Sequence, residues 1–130
     1  MIENYDPFSA PDPEEWNALD EHERLRLVED YHRRTRVPLP NAKVHAIIHV
    51  VVENQIGLGD ETPVARTLQR LMSEGLDRHD ALHAIGFVLA GHMHDLVRQT
   101  ETESEQAGDP NEAYFAELER LTAESWRRSG

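Results

Sequence analysis

Along most of this chain the apolar residues recur at steps of three and four rather than two, which is the spacing of amphipathic helices. Asp12, Pro13 and Glu15 open a short helix over 13–18: a capping side chain, a proline at the first position and a carboxylate in the first turn. Asp20 and Glu23 repeat the signal as a capping box for a longer helix over 21–34. Leu25, Val28 and His32 share one stripe of that helix, which must stop before Val37-Pro38-Leu39-Pro40.

The next segment, VHAIIHVVVENQI, is rich in β-branched residues and on composition alone favours a strand. Its polar members argue otherwise, because His45, His49 and Glu53 recur every four residues. No second strand-like run exists for it to pair with. The segment is therefore read as a buried helix over 42–56, capped by Asn41 and ended by Gly57 and Gly59.

Thr62-Pro63 starts a helix reaching Glu74, with Val64, Leu68, Leu71 and Met72 as its apolar face. Gly75-Leu76 reads as its C-cap with the accompanying hydrophobic contact. Asp77 and Asp80 open a helix over 78–98, whose core stripe is Leu82, Ile85, Leu89, Met93 and Leu96. The stretch TETESEQAGD has no large apolar residue and reads as linker. Asp109-Pro110 with Glu112 starts a last helix to about Trp126, packing through Tyr114, Leu118 and Leu121. The expected fold is all-α, a compact array of four to five helices with those over 42–56 and 78–98 at the centre. Residues 1–99 are the helical core domain and 100–109 an acidic linker. Residues 110–130 are a C-terminal helix packing on the same domain.

Charge narrows the partners. The chain carries 25 Asp and Glu against 13 Lys and Arg, a net charge of −12. That field repels phosphate backbones and anionic bilayers, so neither nucleic acid nor membrane is expected, while cations are favoured. A protein partner or a second copy of the chain is left open. The absence of cysteine rules out disulfides and thiol chemistry. The N-terminus shows no signal peptide, and the expected location is the cytoplasm.

The histidines carry the chemistry. A step of four advances about 40° around a helix, so His45, His49 and Glu53 lie on one strip. His79 and His83 form a similar strip on the helix over 78–98, with Gly86 and Ala90 further along it, where small side chains let another helix approach. Two such strips face to face would gather four imidazoles and a carboxylate, the ligand chemistry of zinc, iron, nickel or copper. Helix bundles build metal sites in this manner. The candidate ligands are His45, His49 and His83, then Glu53 and His79, with zinc or iron as the candidate cofactor. Glu29 and His32 make one Glu-x-x-His pair, whereas the ferritin-like pattern needs two. Binding requires neutral imidazoles, so affinity is expected to fall through the histidine range near pH ~6.5. The competing reading is a non-enzymatic interaction or structural module whose histidines are buried for packing.

Enzyme motifs are weak. His79-Asp80-Ala81-Leu82-His83 resembles the zincin helix with Asp in place of Glu, and no third ligand is placed by spacing. The pair His79-Asp80 is also similar to the start of the metal-dependent His-Asp phosphohydrolases, which need further ligands on other helices. There is no Gly-rich phosphate loop and no nucleophile elbow. Over about residues 41–97, HAIIHVVVENQIGLGDETPV followed by RHDALHAIGFVLA resembles a family of small bacterial helical proteins with no established activity. In that family a His-x-x-x-His helix leads into an acidic-Gln dipeptide and a Pro-containing loop, and a second His-bearing helix follows. Here Asn54-Gln55 stands at the dipeptide and the acidic member is Glu53. The resemblance implies a helical fold and no particular reaction.

Overall fold

The computed structural model describes residues 4–35, 42–101 and 111–129. Among them are seven α-helices: α1 (Pro13–Ala18), α2 (Glu21–Thr35), α3 (Ala42–Gly57), α4 (Val64–Ser73), α5 (Arg78–Glu101), α6 (Glu112–Arg120) and α7 (Ala123–Ser129), with a 3-10 turn over Gly59–Glu61. No strand occurs among the described residues. The β-branched segment is α3, as its four-residue polar spacing required.

The helix count exceeds the four to five expected, partly because the C-terminal helix divides. Leu121 takes an extended conformation with ψ 132°. Thr122 then starts a new helix: Ser125 N–H donates to Thr122 Oγ1 at 3.0 Å, and Thr122 N–H to Ser125 Oγ at 3.1 Å. The expected linker also starts late, since Thr100 and Glu101 still belong to α5. Its remainder over 102–109, the Asp109-Pro110 helix start, the Val37–Pro40 turn and the Asn41 cap lie outside the described residues. The Gly75-Leu76 cap takes the Schellman form, with Gly75 at φ +109°. Leu76 N–H donates to Leu71 O and Gly75 N–H to Met72 O, at 3.2 and 3.1 Å.

α3 packs against α1, α2, α4 and α5, and α5 against α3, α4 and α6, so these two helices connect the others. Two apolar clusters result. In one, Val52 of α3 joins Leu68 and Leu71 of α4, Leu82, Ile85 and Leu89 of α5, and Tyr114 and Leu118 of α6. In the other, Ala46 and Val50 of α3 join Leu27 and Val28 of α2 with Tyr5, Trp16 and Leu19. α3 is apolar on nearly all sides because two of its faces serve two cores. The strip of His45, His49 and Glu53 lies between those faces. Gly86 allows the close approach of α5, since a Cβ there would sit 2.8 Å from Ile48 Cγ2. Met72 and Met93, expected in apolar faces, are exposed. Met72 stands on the shoulder of its stripe, about 80° around the helix from Val64.

Three consecutive polar residues at the end of α3 tie it to its surroundings. Glu53 engages Arg78 of α5, Asn54 accepts from Trp16 Nε1 and Arg24 Nη1, both at 2.9 Å, and Gln55 accepts from the Tyr114 hydroxyl at 2.7 Å.

Candidate metal centre

The strip of α3 and the strip of α5 face each other, and α2 adds a third contributor. Nε2 of His49 lies 3.1 Å from Nε2 of His45 and 3.2 Å from Nε2 of His83. Nitrogen atoms of His45, His49 and His83 all lie within 4.8 Å of one another, and so do those of a second trio, His32, His49 and His79. His49 belongs to both trios and is 3% exposed. The five rings meet edge to face or tilted, with centroids between 4.3 Å for His79–His83 and 6.4 Å for His32–His79.

Hydrogen bonding decides which nitrogen of two rings holds a lone pair. Tyr5, in the segment before α1, donates its only hydroxyl hydrogen to Glu53 Oε2 at 2.6 Å. Its oxygen is 3.2 Å from His49 Nδ1 and can only accept there, so Nδ1 of His49 carries the hydrogen. In the neutral ring Nε2 then keeps the lone pair. His32 reaches the same tautomer by another route, because its Nδ1 is 2.8 Å from the Val28 carbonyl, which can only accept.

The His49 nitrogen therefore offers one lone pair to two imidazole nitrogens at once. That is a poor hydrogen-bond arrangement, since one sp2 nitrogen accepts one hydrogen well. As a cation cradle the spacing is apt. Ligands about 2.0–2.1 Å from a tetrahedral ion lie about 3.3–3.4 Å from each other, close to the separations found. His79 adds a buried Nε2 with no hydrogen-bond partner among the described residues.

Glu53, expected as a ligand, has both oxygens engaged elsewhere. Arg78 Nη1 and Nη2 reach its Oε2 and Oε1 at 2.9 and 2.8 Å, and Arg78 Nη1 also donates to Pro7 O. The carboxylate is thus one bond removed from the cluster, acting on His49 through Tyr5. Of the expected residues, His45, His49, His79 and His83 come together, and Glu53 stands behind them. His32, Tyr5 and Arg78 were not anticipated in these roles. His32 carried a signal, its place on the buried Leu25–Val28 stripe. Arg78 read only as a helix-opening residue between two aspartates. His22 and His94 are exposed, and the His92 ring stacks on Tyr114.

Burial first, and then neighbouring imidazoles, holds these groups neutral. His45 and His83 are each lowered to about 4, His49 falls further, to about 2, and His79 is lowered as well. For His83 the pull of Asp80 opposes the shift without cancelling it. Burial and Glu53 raise Tyr5 well above its ordinary value, so its hydroxyl stays protonated. Burial is the largest single influence on Arg78 and lowers it, but Glu53 and Tyr5 together outweigh it and the net shift is upward.

These shifts move the acid limit below the expected range near ~6.5 and give a stability prediction. Between ~6.5 and about 4 the unfolded chain binds protons on His45 and His83 that the folded chain excludes. Stability must therefore decline as pH falls through that window, and it is fully present above it. Urea midpoints of the metal-free protein at a series of pH values should drop from pH ~7 toward ~4.5. A flat series would show that the imidazoles are not held neutral.

A cavity of about 300 Å³ is lined by all three members of one trio, His45, His49 and His83, together with Ile48, Leu82, Gly86, Phe87, Ala90 and Trp126. The His32–His79 side is instead flanked by aromatic rings, with Phe8 and Tyr31 at centroid distances of 5.3 and 5.9 Å from His79. No helix among the described residues is long and apolar enough to cross a membrane. No family model, curated protein or solved structure matches this chain.

Proposed function

We propose that this protein binds one divalent transition ion, zinc or iron, on His45, His49 and His83 in the helical interior. The observation carrying this reading is the pair of Nε2 separations at His49, 3.1 and 3.2 Å, which fit ligand spacing around a tetrahedral ion better than they fit hydrogen bonding. The neutral state of the imidazoles supports it, because no proton has to leave for the ion to enter at neutral pH. Glu53 and Tyr5 support it as the outer layer of the site. Oriented by Arg78, they hold the His49 tautomer that presents Nε2. Three imidazoles leave a coordination position for water or a ligand, so the ion would act as a Lewis acid facing the cavity. The resemblance to small bacterial helical proteins with a His-x-x-x-His helix is part of the same proposal.

The second reading, histidines buried for packing, has the His32 Nδ1 bond to Val28 O in its favour, since such a bond holds an imidazole in a helix without any ion. One measurement separates the two. Untagged protein, purified without chelators, should contain close to one equivalent of zinc or iron by elemental analysis, and stripped protein should take it up again. Protein that stays metal-free after incubation with either ion leaves only the packing role.

A further inference from the structure

We infer that the cavity beside His45, His49 and His83 is a binding site for a small carboxylate with an apolar body. This rests on the metal reading above and adds the ligand. The first argument is access. Of the two histidine trios, only this one lines the cavity with all three members, so an ion held there meets a molecule entering through it.

The second argument is charge. Three neutral imidazoles leave both positive charges of a divalent ion uncompensated. The nearest buried carboxylate, Glu53, is already neutralised by its two-pronged bond to Arg78. Tyr5 keeps its hydroxyl hydrogen, donating it to Glu53 Oε2 at 2.6 Å. Among the described residues, no Asp, Glu, Lys or Arg lines the cavity. An uncompensated ion beside apolar walls draws an anionic donor into its open position. A carboxylate oxygen supplies that charge and suits zinc or iron.

The third argument is shape. Away from the imidazoles the walls are Ile48, Leu82, Phe87, Ala90 and Trp126, with the Phe87 and Trp126 rings 5.8 Å apart. At about 300 Å³ the space is at the small end of ligand pockets. It suits one ring or a short branched chain. Acetate would satisfy the ion and leave these walls unfilled, whereas benzoate would satisfy both.

The test uses Co(II) as a visible stand-in for zinc, with benzoate and acetate as probes. Changes in the Co(II) absorption bands report a ligand entering the coordination sphere. We expect benzoate to bind at least about tenfold more tightly than acetate, from the extra apolar surface buried. Ala90→Leu, which fills the cavity, should erase that preference and leave Co(II) affinity as in the unmodified chain. Phe87→Ala provides a second variant, since Phe87 is 64% exposed and its loss does not endanger the core. It should reduce the preference by removing one wall. Equal affinities for the two acids, or a preference untouched by both variants, would overturn the carboxylate site while Co(II) binding stands. Failure to take up Co(II) would overturn the metal reading and this inference with it.

Discussion

Replacing His49 with alanine is expected to abolish stoichiometric zinc or Co(II) uptake, while His32→Ala and His45→Ala each leave binding detectable. The asymmetry follows from the two trios. His32, His49 and His79 form one, His45, His49 and His83 the other, and His49 alone is common to both. Losing His45 spoils the trio that faces the cavity but leaves three imidazoles on the other side. Losing His32 does the reverse. Losing His49 leaves pairs only, with the remaining rings on three separate helices. The substitution should not unfold the chain. It removes a buried ring and leaves the Tyr5 oxygen without its donor, at a cost of about 1–3 kcal/mol. Against a typical stability of about 5–15 kcal/mol that is tolerable. A competition titration with a coloured chelator, on variants checked by circular dichroism, measures the ranking. Binding by His49→Ala at the strength of the unmodified protein would place the ion elsewhere.

Much of this arrangement was legible in the sequence because it rests on helical arithmetic. The spacing of His45, His49 and Glu53 overrode the β-branched composition of α3, and the same spacing put His79 and His83 on one strip of α5. Gly75-Leu76 announced its cap because a positive φ and the contact after it are both written in residue type. What was not legible depends on how helices cross. Nothing in the spacing says that α2 lies against α3 so that the His32 ring comes within 5.0 Å of the His49 ring. Glu53 and Arg78 are 25 residues apart, and two opposite charges at that separation carry no local signal. On its strip alone Glu53 reads as a ligand. Its pairing with Arg78 places it behind His49, linked to that ring through Tyr5. Tyr5 was harder still, since it lies outside any helix and is placed only by the core that forms beneath it. The division between α6 and α7 had a signal, Thr122 followed three residues later by Ser125, which the apolar spacing of Leu118 and Leu121 masked.

The largest stability effect is expected at the Glu53–Arg78 pair. Both side chains are almost fully buried, at 1% and 5% exposure, with two nitrogen–oxygen bonds below 3 Å between them. Such a pair is weak evidence of net stabilisation, because removing two charges from water is costly. Breaking it is another matter. Arg78→Met would leave an ionised carboxylate inside the protein with only the Tyr5 hydroxyl for company, at a cost of about 3–5 kcal/mol. Adding Glu53→Gln removes the orphaned charge yet keeps an acceptor for Tyr5, and should recover at least half of the loss. Urea unfolding of the unmodified protein, Arg78→Met and the double variant at pH ~7 measures both the loss and its recovery. If Arg78→Met lies within about 1 kcal/mol of the unmodified chain at pH ~7, Glu53 has found water or another partner. The carboxylate would then not be the fixed anchor that Tyr5 and His49 require.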